Sequence, residues 1–198
     1  MDWIAHANRA NALAKRHPSA AEILTFYENL ARFLSTHPTE PAVLDWSTNN
    51  AKPELAPVIK EAFQLAALAA HEPKVTAPWP NYCPCCGSAP AVALLRQEAD
   101  GSRRALLCGQ CLYEWPYQRI LCPNCLEQRF EELPIYIAED FPHLRVESCS
   151  TCNHYLIATD LVKDPQAVPL VEDIAALSLH LWATDHGYTK IRPNLFGF

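Results

Sequence analysis

Cys83-Pro84-Cys85-Cys86, Cys108-Gly109-Gln110-Cys111, Cys122-Pro123-Asn124-Cys125 and Cys149-Ser150-Thr151-Cys152 are four C-x-x-C pairs in one stretch of chain. They use eight of the nine cysteines, and no cysteine lies outside residues 83–152. A C-x-x-C turn bends the backbone so that both sulfurs and the N–H groups behind them face one point. Two such turns supply four thiolates, the complement of a tetrahedral site. Four turns predict two sites.

The spacing carries a repeat. Cys83/Cys86 is followed after 21 residues by Cys108/Cys111, and Cys122/Cys125 after 23 residues by Cys149/Cys152. Between the knuckles of the first unit, Ala91–Arg96 and Arg104–Leu107 flank a turn at Asp100-Gly101 and read as a hairpin. Tyr113–Leu121 follows as a strand that Pro116 places at a sheet edge. In the second unit Leu133–Ile137 and Leu144–Ser148 form the hairpin and Tyr155–Thr159 the last strand. Leu144 and Val146 alternate there with Arg145 and Glu147, the period of a half-buried strand. Each unit is thus knuckle, hairpin, knuckle, strand, the plan of a rubredoxin or zinc ribbon.

The repeat pairs Cys83, Cys86, Cys108 and Cys111 in one site and Cys122, Cys125, Cys149 and Cys152 in the other, so that each unit closes its own core. A crossed arrangement, joining Cys108/Cys111 to Cys122/Cys125 over ten residues, is the alternative. The expected cofactors are two metal ions, Zn or Fe, each held by four thiolates; ligand type alone does not separate the two metals. A closed tetrathiolate leaves no coordination position for water, so a structural or electron-transfer role is expected rather than hydrolysis. In units this small, metal binding supplies folding free energy on the order of 10 kcal/mol.

The flanks are helical. Residues 1–71 read as a helical N-terminal region, with helices over about Asp2–Lys15, after Ser19, and over about Pro53–Ala70. Ser19-Ala20-Ala21-Glu22 fits a capping box, and Ile23, Phe26/Tyr27, Leu30 and Phe33/Leu34 recur at helical spacing behind it. Residues 72–80 form a proline-rich linker. The units then occupy 81–121 and 122–163, and 164–198 holds a C-terminal helix and tail. The helix spans about Leu170–Thr184, with Ile174, Leu177, Leu181 and Trp182 on its inner side and Gly187 as its C-terminal cap. The fold class is therefore α+β: a small helical region, two tandem ribbon units and a last helix.

Charge limits the partners. The chain carries a net charge of −6. Residues 81–163 hold seven Lys/Arg against ten Asp/Glu, and each tetrathiolate around a divalent ion adds further negative charge. Nucleic-acid binding draws on phosphate neutralisation by a basic face, so a nucleic-acid partner is not expected. No apolar run reaches the length of a membrane span, and the first residues, Met1-Asp2-Trp3-Ile4, lack the signature of an export signal. A cytoplasmic location is the expectation, where reduced thiols favour metal sites over disulfides.

Some residues stand outside this scheme. Cys85 reads as a spare thiol beside the first site, or as a substitute ligand. His154 reads as a surface histidine, or else as a hydrogen-bond donor to a thiolate or an occasional ligand. Trp79, Tyr82, Tyr113, Trp115 and Tyr117 gather around the first unit, as core or as docking anchors. No phosphate loop, nucleophile elbow or dinucleotide fingerprint is present.

Cys83-Pro84-x-Cys86-Gly87-Ser88, Leu106-Leu107-Cys108-x-x-Cys111 with Glu114-Trp115, Arg119-x-x-Cys122-Pro123-x-Cys125 and Glu147-x-Cys149-x-x-Cys152-x-x-Tyr155 together resemble the formate dehydrogenase accessory protein family, FdhE. Lys163-Asp164-Pro165, Asp173-Ile174-Ala175-x-Leu177, Gly187-Tyr188, and early Arg16-His17-Pro18 with Phe26-Tyr27 fit the same family. The resemblance implies a cytoplasmic maturation factor without catalysis of its own. It would act on the catalytic subunit of formate dehydrogenase through two rubredoxin-like sites whose ligands are the eight paired cysteines. In this family the N-terminal helical domain is longer, and Leu112, Leu126 and Asn153 stand where a knuckle glycine is more comfortable. The alternatives are a zinc-ribbon adaptor in transcription or RNA handling and a redox-active rubredoxin-like iron protein.

Overall fold

A computed structural model describes residues 2–36 and 81–198. The expected helix over Pro53–Ala70 and the linker 72–80 lie outside the described residues. Helix α1 (Trp3–Arg16) opens with the Asp2 carboxylate accepting from the Ala5 N–H at 2.9 Å and closes with Lys15 and Arg16 in its last turn. Both ends suit the helix dipole. The capping box at Ser19 does not form. Pro18–Ala20 is instead a 3₁₀ turn without a side-chain cap, and α2 starts at Ala21 and runs to Thr36. Its inward stripe is Leu24, Tyr27, Leu30, Ala31 and Leu34, turned from the one expected; Phe26 meets Phe196 of the tail edge-on at 6.0 Å.

The strands are β1 (Pro90–Glu98), β2 (Gly101–Cys108), β3 (Glu114–Pro116), β4 (Ile135–Tyr136), β5 (Leu144–Cys149), β6 (His154–Asp160) and β7 (Thr189–Lys190). The β1–β2 turn is Ala99-Asp100, one residue earlier than expected, and Ala99 takes a positive φ of 45° there. Pro116, with no N–H to donate, ends β3 at three residues, short of the expected Leu121. The strand expected over Leu133–Ile137 contracts to β4.

The two units are not separate beads. Strand β1 pairs in parallel with β6, Val92 opposite Ile157 through Leu95 opposite Asp160, to give one sheet in the order β3-β2-β1-β6-β5-β4 with β7 beside β6. Paired on both sides, the centre of the sheet is a run of buried residues: Val92, Ala93, Leu94, Leu95, Leu156, Ile157 and Ala158.

The expected last helix is two. Helix α3 (Pro169–Ala175) and helix α4 (Leu177–Asp185) are separated by Ala176 at ψ 28°. The break lets Val171, Ile174 and Ala175 pack on α1 and α2, while Ala176, Leu179 and Ala183 pack on the second unit with Val146 and Ile157. A straight helix presents one stripe to one neighbour; here there are two. Leu181, expected inside, is 52% exposed, and His180 is buried in its place. Gly187 caps α4 as expected: at φ 80° its N–H reaches the Thr184 carbonyl and that of Tyr188 reaches Ala183.

Buried charge ties the layers. Glu172, fully buried, accepts from Arg9 of α1 and from His143 Nε2 at 2.8 Å. Lys190 Nζ donates to both oxygens of buried Asp173 at 2.5 and 2.6 Å. His180 Nε2–H donates to the Asp173 carbonyl, which leaves Nδ1 to accept from Tyr155. No helix among the described residues is long and apolar enough to cross a membrane.

Candidate metal centres

The four C-x-x-C turns share one local geometry. After each second cysteine the next residue is left-handed: Gly87 at φ 73°, Leu112 at 61°, Leu126 at 65° and Asn153 at 55°. Three of these residues donate back to the carbonyl of the first cysteine of their pair, from Gly87 to Cys83, Leu126 to Cys122 and Asn153 to Cys149. The N–H of Cys83, Cys108 and Cys122 in turn reaches the carbonyl of the residue five further on. The turn so closed aims N–H groups at sulfur. Gln110 and Cys111 donate to Cys108 Sγ at 3.3 and 3.4 Å, and Asn124 to Cys122 Sγ at 3.4 Å.

The turns converge in the repeat arrangement, not the crossed one. The sulfurs of Cys83, Cys86, Cys108 and Cys111 lie within 4.8 Å of one another, and so do those of Cys122, Cys125, Cys149 and Cys152. Cys83 and Cys111 are 3.5 Å apart and Cys86 and Cys108 3.4 Å; in the second cluster Cys122–Cys152 and Cys125–Cys149 are each 3.7 Å. A tetrahedron with metal–sulfur bonds of about 2.3 Å has an edge of about 3.8 Å. The second cluster matches that edge and the first is slightly tighter, so both donor sets fit a four-coordinate ion such as Zn or Fe. Each cluster buries the first cysteine of both pairs and turns Cys86 or Cys125 to the surface.

Burial sets the thiol chemistry. It pushes Cys83 and Cys111 up to about 12 and Cys108 to about 11, and raises Cys122 as well. At Cys86 and Cys152 burial acts the same way, but it is outweighed. Hydrogen bonds from the Ser88 backbone and neighbouring sulfurs lower Cys86, and bonds from Asn124 and other neighbours bring Cys152 to about 7. A cation entering such a cluster displaces protons, so its affinity rises with pH.

Around the sulfurs stand groups that spacing did not reveal. The Glu127 carboxylate accepts from the Arg129 side chain and backbone and from Thr151 Oγ1 at 2.8 Å, tying the two knuckles of the second cluster together. Arg192 of the tail donates to Ser88 at 2.8 Å, beside the first knuckle. Arg104, 3% exposed, spans the two units: it donates to Glu147 at 2.9 Å and to the Gln118 carbonyl, and it lies 5.3 Å from the centre of the Tyr117 ring. The partners are 43 residues apart, and only the β1–β6 junction brings them together.

The outliers resolve differently. Cys85 is in neither cluster and packs against the core of the first unit. His154 is not a member either; its Nδ1 lies 2.6 Å from the Cys152 carbonyl. Of the two readings of the aromatic group, Trp115 at 6% exposure takes the core one, while Tyr117 is half-buried. Trp115 packs with Cys83, Cys108 and Leu106 as core.

Two family models match consecutive stretches of the chain, the FdhE central domain over residues 82–119 and the FdhE C-terminal domain over 120–196. An FdhE homologue of Aquifex aeolicus is 40% identical over 119 residues, 60% of this chain and 42% of the relative. One of Serratia proteamaculans is 31% identical over 204 residues, 98% of this chain and 65% of the relative. The chain thus spans between about two fifths and two thirds of the length of these relatives. The crystal structure of the FdhE protein from Pseudomonas aeruginosa superposes with a TM-score of 0.78 at 22% identity, over 98% of this chain and 95% of that one, which shows a shared fold. With both domain models covering the sheet and its cysteine clusters, this chain belongs to the FdhE family.

Proposed function

We propose that this chain is an accessory factor for formate dehydrogenase that binds the enzyme's catalytic subunit during assembly and catalyses no reaction itself. The observation that carries this reading is the pair of convergent four-cysteine clusters inside the two FdhE domains. Cys83, Cys86, Cys108 and Cys111 hold one ion, and Cys122, Cys125, Cys149 and Cys152 the other. Each ion contributes folding free energy to its unit. If the ion is iron it also supplies one-electron exchange; zinc supplies structure alone. The exposed positions of Cys86 and Cys125 favour the iron version as a second reading, because they leave one side of each cluster near the surface. The factor works in the cytoplasm, where its thiols stay reduced. The acidic excess of residues 81–163 disfavours the transcription or RNA adaptor.

Three measurements test this. Protein purified without oxygen carries close to the two ions that the two clusters accommodate; one ion or none contradicts the ligand assignment. Visible absorption of that protein separates iron from colourless zinc. A host lacking the gene loses formate dehydrogenase activity and regains it with the wild-type chain. Activity that survives the deletion overturns the accessory role.

A further inference from the structure

The sheet has an open edge whose counterpart is covered within the same molecule. By the repeat, β4 corresponds to β1: each follows the first knuckle of its unit. In the first unit the outer edge of β1 takes β6 as a parallel strand. In the second unit β4 ends the sheet, and no described residue pairs with its outer side. The Ser150 and Ser148 N–H groups bond the Glu132 and Pro134 carbonyls, at 2.9 and 3.1 Å. Together with Tyr136 opposite Val146, this alternation turns residues 132, 134 and 136 toward β5. It therefore turns the N–H and C=O of Ile135 and Ile137 outward.

The side chains agree with the backbone. Tyr136 points to the core face, its ring 4.5 Å from that of Trp182. Ile135 and Ile137, on the opposite face, are 51% and 80% exposed, and Phe130 in the turn leading into β4 is 68% exposed. Exposed apolar residues on an unpaired edge invite a further strand.

Charge selects the occupant. Glu131 precedes the strand and Glu139 and Asp140 follow it; all three are exposed and none is in an ion pair among the described residues. The nearby arginines are engaged, Arg129 with Glu127 and Glu132, and Arg145 with Glu147. A symmetric dimer through two antiparallel β4 edges would set Glu131 of one copy against Glu139 and Asp140 of the other, an unfavourable pairing of like charges. A head-to-tail contact would need β3, which Pro116 shortens, and would run on into an open filament. A second copy fits neither way.

We propose that β4 is a docking edge for an extended apolar segment of another polypeptide flanked by Lys or Arg, which joins the sheet as β6 joins β1. Resting on the function proposed above, that polypeptide is the formate dehydrogenase catalytic subunit.

Two variants probe the edge, one by backbone and one by charge. Ile137→Pro removes an outward N–H and leaves the β4–β5 bonds in place. Glu131→Lys with Glu139→Lys reverses the flanks at exposed positions. Unchanged metal content serves as the control for folding. The expected result is a loss of about tenfold or more in affinity for the purified catalytic subunit with either variant. If wild type captures the subunit and both variants capture it equally well, the edge is wrong and the accessory role stands. If wild type does not capture the subunit, the binding role fails. The edge is then judged on a synthetic peptide of alternating Val and Thr with a Lys pair at each end. The peptide must bind wild type more tightly than its Glu-ended counterpart and must lose affinity to both variants; anything less overturns the edge. Self-association of wild type that Ile137→Pro abolishes would also overturn it, by naming a second copy as the occupant.

Discussion

Leu126 is held at φ 65° with its side chain 41% exposed, so it bears the cost of a left-handed backbone with little burial in return. A β-carbon in that region costs about 1–2 kcal/mol that glycine avoids. Leu126→Gly is therefore expected to stabilise the metal-loaded protein by about 1 kcal/mol, less the entropy glycine adds to the unfolded chain. A urea titration at constant metal measures it; a lower midpoint would contradict the argument. The eight sulfurs offer a second test at this scale. Because Cys83 and Cys108 share a cluster, Cys83→Ser and Cys108→Ser each impair the same site, and the double variant loses no more metal than either alone. Metal counts on the three proteins check this, and losses that add would point to different sites.

At the scale of elements, α1 and α2 are joined by a buried polar contact that titrates. His6 Nδ1 lies 2.8 Å from Tyr27 Oη, and burial brings the His6 pKa down from 6.5 to about 4. The folded state resists a proton that the unfolded state takes up near 6.5. The contribution is thus complete above about pH 6.5 and is lost as pH falls toward 4, by about 3 kcal/mol in all. His17 and His180 are lowered too, burial again coming first, and act with the same sign. His6→Gln keeps an acceptor without a titrating group, so its stability should fall less than wild type's between these limits. Parallel loss in the two proteins, followed by urea unfolding at a series of pH values, would assign the dependence elsewhere. The elements also show where periodicity reaches its limit. It located α1, α2 and the last helical stretch, but no period along residues 170–184 announces a break at Ala176. The break answers two separate cores on either side of it. Pro116 at an edge was legible because proline lacks a donor.

Across the whole molecule, a buried ion pair locks helix α3 to the tail strand β7, which itself lies on the sheet beside β6. Lys190 and Asp173 are 7% and 1% exposed. Burial depresses the Lys190 pKa, and Asp173 partly restores it. Lys190→Met leaves a carboxylate uncompensated in the core and is expected to cost about 3–5 kcal/mol. Lys190→Met with Asp173→Asn should cost distinctly less, since most of the penalty is the stranded charge. Denaturant midpoints of the two variants settle it, and equal losses would mean that packing rather than charge holds the tail.

The four C-x-x-C turns are written along the chain, because each is a local structure, and their repeat spacing favours one partition; that the sulfurs meet in the repeat arrangement and not the crossed one is decided by the fold. The strand-rich middle and the helical flanks are legible in the same way, through local periodicity. That the two units share one sheet through β1 and β6, and that Trp115 is core rather than surface, follows only from the folded arrangement. The same holds for Arg104 reaching Glu147, and for β4 keeping an open edge. These features depend on which strand edges meet across some sixty residues of chain. Edge pairing between backbones leaves no residue pattern of its own; it is settled by the burial gained when two apolar strands close on each other.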